Sequence, residues 1–165
     1  MTGEETGGRG QALAARFTTA SDALIATVAK CPDERWMTMC PDEQQPVGVV
    51  ARHVASALPI ALGWVRMVVD GQPLPPLTPE MIDDSNARQA EKHAHPPRDE
   101  VLALLRRNCP MVAETLASLS DEQLARHAPF VLRGGREVSA EQLADFNLVQ
   151  HVESHLAGIR MALAA

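Results

Sequence analysis

Four segments of this 165-residue chain place apolar side chains three and four residues apart, with polar or proline-bearing stretches between them. That interval gathers apolar groups on one face of an α-helix, so each segment closes a core only by packing its stripe against other helices. The first, about Gln11 to Ala29, repeats Leu13, Phe17, Leu24 and Val28 and ends at Cys31-Pro32. The second opens at Gln44-Gln45-Pro46, where proline suits a first helical turn, and runs to about Val69. Pro59 lies inside it and is expected to bend the helix, because apolar spacing resumes through Ile60, Trp64 and Val68. The third spans about Arg98 to Leu119, with Val101, Leu105, Val112, Leu116 and Leu119 as its buried stripe and Pro110 as its weak point. Ser139 and Gln142 form a capping-box spacing that starts the last helix, which continues through Leu143, Phe146, Leu148, His151, His155 and Ile159.

The connections are equally informative. The stretch from Asp70 to Pro79 holds four prolines and cannot be regular structure; a short helix from about Glu80 to Lys92 follows before Pro96-Pro97. Neither side of it contains an independent set of core elements, so it is a crossover within one domain of residues 11–165. Phe130 to Val138 reads as two very short strands about Gly134-Gly135, or as a plain loop. Residues 1–10 are polar and glycine-rich, which predicts a disordered tail and lacks the features of a secretory signal. With aromatics at 3%, no tyrosine and 45% hydrophobic residues, close-packed helices are favoured over a sheet. The expected fold is all-α: a four-helix bundle with a long crossover between helices 2 and 3 and a short extra helix.

Charge and cysteine usage exclude several function classes. A net charge of −6, with lysine only at Lys30 and Lys92, argues against a nucleic-acid surface. No uncharged apolar run approaches the roughly 20 residues of a membrane span, since Arg52, His53 and Arg66 interrupt the best candidate. Cys31, Cys40 and Cys109 have no CxxC spacing, which fits free thiols and a cytoplasmic location. The expected partner is a small-molecule substrate. A homodimer is also considered, because small bundles often bury a helix face in a second copy.

Within this scaffold, His151 and His155 stand four residues apart on one helix and therefore share a face, a spacing suited to one metal ion. His53, among Val49, Val50, Ala57 and Ile60 in the second helix, is the best third ligand. Inward-facing imidazoles need partners: leaving three of them without hydrogen bonds would cost on the order of 1 to 3 kcal/mol each, and one divalent cation would satisfy all three. The competing reading is three core histidines satisfied by backbone and side-chain groups. A zincin-type protease is excluded, because its general base would follow the first histidine, where Val152 stands, and Glu153 turns to the solvent side. His93 and His95 are candidates for a pocket mouth, and Glu91, His93 and His95 for an acid or base by nearness alone, whereas His127 reads as merely exposed. Cys109 reads as a small core residue, and Cys31 and Cys40 as loop-edge thiols without an adjacent base.

Trp36, a short polar loop, Pro46-Val47-Gly48 opening a helix with His53, and a last helix with His151 and His155 together resemble the DinB-like metal-binding four-helix bundles, over nearly the whole chain from about Gln11. The resemblance implies that His53, His151 and His155 bind a divalent metal, zinc or nickel, with one or more positions open to water or substrate. It also implies relatives that use low-molecular-weight thiols as isomerases or S-transferases. Asn86 and Arg88 lie where a pocket wall is expected. On this basis the protein is expected to bind a divalent metal and to act as an enzyme, of transferase, isomerase or hydrolase type, using activated water or a thiol on a small molecule. The alternative is a non-catalytic helical module, its metal structural or absent, acting in ligand binding or assembly; a fourth protein ligand would favour it.

Overall fold

A computed structural model describes residues 8–165. Its four long helices are α1 (Gly8–Lys30), α2 (Val47–Val69), α4 (Arg98–Ser118) and a final rod made of α6 (Ala140–Ala144), a π-helical turn (Asp145–Val149) and α7 (Gln150–Ala164). The crossover carries α3 (Pro79–Lys92), and α5 (Asp121–Leu124) is a single turn. Two small antiparallel hairpins complete the chain: β1 (Met39–Cys40) with β2 (Gln45–Pro46), and β3 (His127–Phe130) with β4 (Arg136–Ser139). Helix α1 packs on α4 and α7, and α2 packs on α4 and on the final rod, so α1 and α2 occupy opposite corners of the bundle. The expected stripes close the core: Phe17, Leu24, Val28, Val101, Leu105, Val112, Leu116 and Ile159 are fully buried.

Pro59 leaves α2 unbroken because another helix supplies what it lacks. Proline has no N–H for the Ala55 carbonyl one turn back. The buried Asn108 of α4 donates its Nδ2 to that carbonyl at 2.8 Å. An Asn108→Ala substitution is therefore expected to destabilise the fold by about 1 to 3 kcal/mol, the cost of a buried unpaired carbonyl. In a Pro59→Ala background, where residue 59 regains its N–H, the same substitution should cost measurably less. A double-mutant cycle by urea denaturation checks this, and equal costs in both backgrounds would contradict it. Pro110 breaks α4 no more than Pro59 breaks α2, since the carbonyl it orphans belongs to exposed Arg106.

The start of α2 is held without a side-chain cap. Pro46 occupies the capping position, and the first free amides are taken by the preceding loop: Val47 N–H donates to the Thr38 carbonyl and Gly48 N–H to that of Trp36, each at 2.9 Å. The indole of Trp36 lies against Gly48 and donates its own Nε1–H to the Pro96 carbonyl at 2.8 Å. This stitching fixes the β1–β2 hairpin over the mouth of the bundle, on the α7 side.

Three sequence expectations change. Of the predicted tail, residues 1–7 lie outside the described part of the chain, but residues 8–10 are helical, because Arg9 N–H bonds Asp121, its guanidinium pairs with Glu141, and Gly10 seats against the Leu116 and Leu119 carbonyls. Ile60 is 58% exposed and does not continue the α2 stripe; Ala61, Leu62 and Val65 carry it instead. Cys31 and Cys40 stand at loop edges, just after α1 and at the end of β1, but both are buried in the core. Helix α2 has the length and hydropathy of a membrane span, yet much of it is buried against the other helices.

The final rod departs from regular helix at the point that aims the site. Its buried residues run Leu143, Ala144, Leu148, Val149, five apart, before the ordinary spacing of Val152, Leu156 and Ile159 resumes. A turn closed by a bond from Gln150 N–H to the Asp145 carbonyl accommodates that step of five. One inserted residue rotates everything after it by about 100° around the helix axis, so the π turn sets the direction in which α7 presents its histidines.

Candidate metal centre

His53 from α2 and His151 and His155 from α7 meet in one cluster, each offering a ring nitrogen within 4.8 Å of the others. Ring centroids are 5.2 Å apart for His53 with either partner and 4.6 Å for His151 with His155, and the planes are tilted by 57° to 79°. The rings therefore converge on a common point and do not stack. All three are half-buried, so the cluster is reached from solvent on one side.

Electrostatics keep two of the rings neutral. Burial, followed by the neighbouring His155 ring, lowers His53 to about 4 against a weaker opposing pull from Glu43. Burial and the other two rings lower His151 to about 3. Neutral imidazole is the form that ligates a cation. His151 Nε2 is buried and has no hydrogen-bond partner among the described residues, a polar atom without a use inside the fold. Three converging imidazoles, two of them held neutral and one with an orphaned nitrogen, fit a divalent cation.

Glu43, at the tip of the β1–β2 hairpin, was not singled out in the sequence. Its Oε1 lies 3.1 Å from His155 Nδ1, across 112 residues of chain. The tip is shaped by Gln44, which holds a positive φ of 54° while its N–H bonds the Cys40 carbonyl at 3.0 Å. Beside the histidines opens a cavity of about 310 Å³ between α2 and α3, lined among others by Gln45, Arg52, Asp83, Asn86, Gln89 and His93. Asn86 and His93 thus reach the pocket as expected, whereas Arg88, Glu91 and His95 do not line it. His127 is exposed on β3, and Glu153 is exposed and 3.8 Å from Arg16, away from the cluster. The thiols stand apart from the chemistry: burial pushes Cys40 and Cys109 up to about 11 and also raises Cys31, so none is a ready nucleophile at neutral pH.

A four-helix bundle with an inserted α3 carries a three-histidine cluster between its second and last long helices, a helical scaffold with a candidate metal centre. The chain belongs to the DinB superfamily, whose family model matches residues 12–159. Solved structures share the fold. YfiT from Bacillus subtilis, described as a probable metal-dependent hydrolase with an unusual four-helix bundle topology, superposes with a TM-score of 0.74 at 17% identity, over 93% of this chain and 85% of its own. An uncharacterized protein from Clostridium difficile 630 gives 0.68 at 14% identity, over 90% and 92%, and a protein from Streptococcus pneumoniae gives 0.66 at 17%, over 90% and 87%. No curated protein sequence matches the chain.

Proposed function

We propose that this protein is a metal-dependent enzyme acting on a small molecule, with His53, His151 and His155 holding a divalent cation, zinc or nickel. The observation that carries this reading is the convergence of three imidazoles with His151 Nε2 buried and unpartnered. Bound there, the cation would act as a Lewis acid, activating water or a low-molecular-weight thiol as a nucleophile. The protein's own part is to keep the His53 and His151 rings neutral and to receive the reactant in the cavity under α3. That cavity is at the lower end of small-molecule site volumes, and its Arg52, Asn86, Gln89 and His93 offer polar groups to orient a compact polar substrate. A net charge of −6 and three buried thiols support a small-molecule partner and a cytoplasmic location over a nucleic-acid or membrane role.

Relatedness to a probable metal-dependent hydrolase favours water as the nucleophile, and thiol transfer or isomerisation is the other chemistry open to such a site. The test is turnover of a panel of small amides, esters and thiol-plus-electrophile pairs by the zinc- and nickel-loaded protein. Activity should disappear on dialysis against a chelator and return with one equivalent of metal. Turnover indifferent to the chelator would overturn the assignment, and a metal closed in by four protein ligands would point to the structural-module reading instead.

A further inference from the structure

Resting on the metal-centre reading above, we infer that Glu43 is a positioning residue that fixes the His155 ring for the cation, and that Gly158 is the slot that admits it. The Glu43 carboxylate is an acceptor only, so at 3.1 Å it takes a hydrogen bond from His155 Nδ1–H and leaves Nε2 as the ring's free lone pair. Glu43 is not itself a member of the ligand cluster, which among the described residues consists of the three imidazoles. Its carboxylate meets the Nδ1 edge of His155, which leaves the Nε2 edge for the cation.

Gly158 stands three residues after His155 on the same face of α7. A Cβ at this position would lie 2.7 and 2.8 Å from the two Glu43 carboxylate oxygens. Any side chain there drives the carboxylate off, and the carboxylate, at the end of a flexible side chain, yields more readily than the helix backbone. Glycine inside a helix is unfavourable compared with alanine. Room for Glu43 gives this glycine a reason to be where it is. The other carboxylate oxygen, Oε2, is buried with no partner among the described residues, so the carboxylate is held in this slot chiefly through His155.

The experiment has a readout that needs no metal and one that does. Long-range ¹H–¹⁵N spectra of the metal-free protein at pH 7.5 should show His155 with its proton on Nδ1, shifting toward the Nε2–H form in Glu43→Ala. Zinc affinity, measured by chelator competition, should weaken about 10- to 100-fold in both Glu43→Ala and Gly158→Ala. Glu43→Gln, which keeps an acceptor oxygen without the charge, should fall between wild type and Glu43→Ala. Metal-free Gly158→Ala should melt no lower than wild type, which separates loss of positioning from loss of fold. Unchanged zinc affinity in Glu43→Ala and Gly158→Ala would overturn the inference, as would a wild-type His155 protonated on Nε2 or a Glu43 oxygen bound directly to zinc. A wild type that takes up no zinc would defeat the metal-centre reading itself, while the proton position on His155 would still decide whether Glu43 orients the ring.

Discussion

Wild-type protein, purified without a polyhistidine tag, is expected to retain one equivalent of divalent metal per chain, and His53→Ala to lose it. Two imidazoles from a single helix remain in that variant, but the third coordination position and its share of the binding energy are gone. Loss of a residue that merely supports a ligand costs 10- to 100-fold in affinity, so removing a ligand should cost at least about 100-fold. His151→Ala and His155→Ala should behave alike, because all three rings reach the same point. Elemental analysis after equilibrium dialysis against a set free-zinc concentration provides the number. The fold is expected to survive, since the three rings are half-buried and the surrounding core is aliphatic. A His127→Ala variant, altered at an exposed ring on β3, should bind metal as the wild type does.

Gly48→Val should have the largest effect on stability. A Cβ at residue 48 would lie 2.5 Å from Trp36 Cε2 and 2.6 Å from Nε1, atoms of a rigid indole that is 8% exposed and has nowhere to retreat. The ring must leave its seat, breaking the bond from its Nε1–H to the Pro96 carbonyl and disturbing the loop that caps α2. Overpacking of this kind costs about 1 to 3 kcal/mol and a buried group left unpaired about 1 to 3 more, so a loss of about 2 to 6 kcal/mol is expected. That is a large part of the 5 to 15 kcal/mol typical of a domain. Gly63→Ala in the same helix, where a Cβ meets open space, should be neutral or slightly stabilising. Comparable midpoints for the two variants in urea denaturation would contradict this account. Displacing Trp36 also loosens the hairpin that carries Glu43, so Gly48→Val should weaken metal binding as well as the fold.

The four helices were legible because apolar spacing is a local property, carried within each segment by residues such as Phe17, Leu24, Leu105 and Leu116. His151 and His155 were legible for the same reason: four residues apart on a helix is a statement about geometry that needs no knowledge of the fold. His53 required one step more, the assumption that a histidine in an apolar helix faces inward and meets the pair. Glu43 could not be found this way. It sits in a hairpin built from two-residue strands, with no periodicity, and meets His155 only once the bundle has closed. Gly158 carries no signal without Glu43. The π turn did leave a trace, since Leu143 and Leu148, then Ala144 and Val149, repeat at five and not at three or four. The start of α1 was missed because Gly7-Gly8-Arg9-Gly10 reads as a flexible tail, whereas distant Asp121 and Glu141 anchor Arg9 and tight contact with the end of α4 favours glycine at position 10.

X-ray absorption spectroscopy of the zinc-loaded protein tests the central claim most directly. Three imidazole nitrogens at about 2.0 to 2.1 Å, with the remaining coordination from water, are predicted for the wild type, and one fewer imidazole or no bound zinc for each single histidine variant. A spectrum with sulfur ligands, or an imidazole count unchanged by loss of His53, His151 or His155, would contradict it.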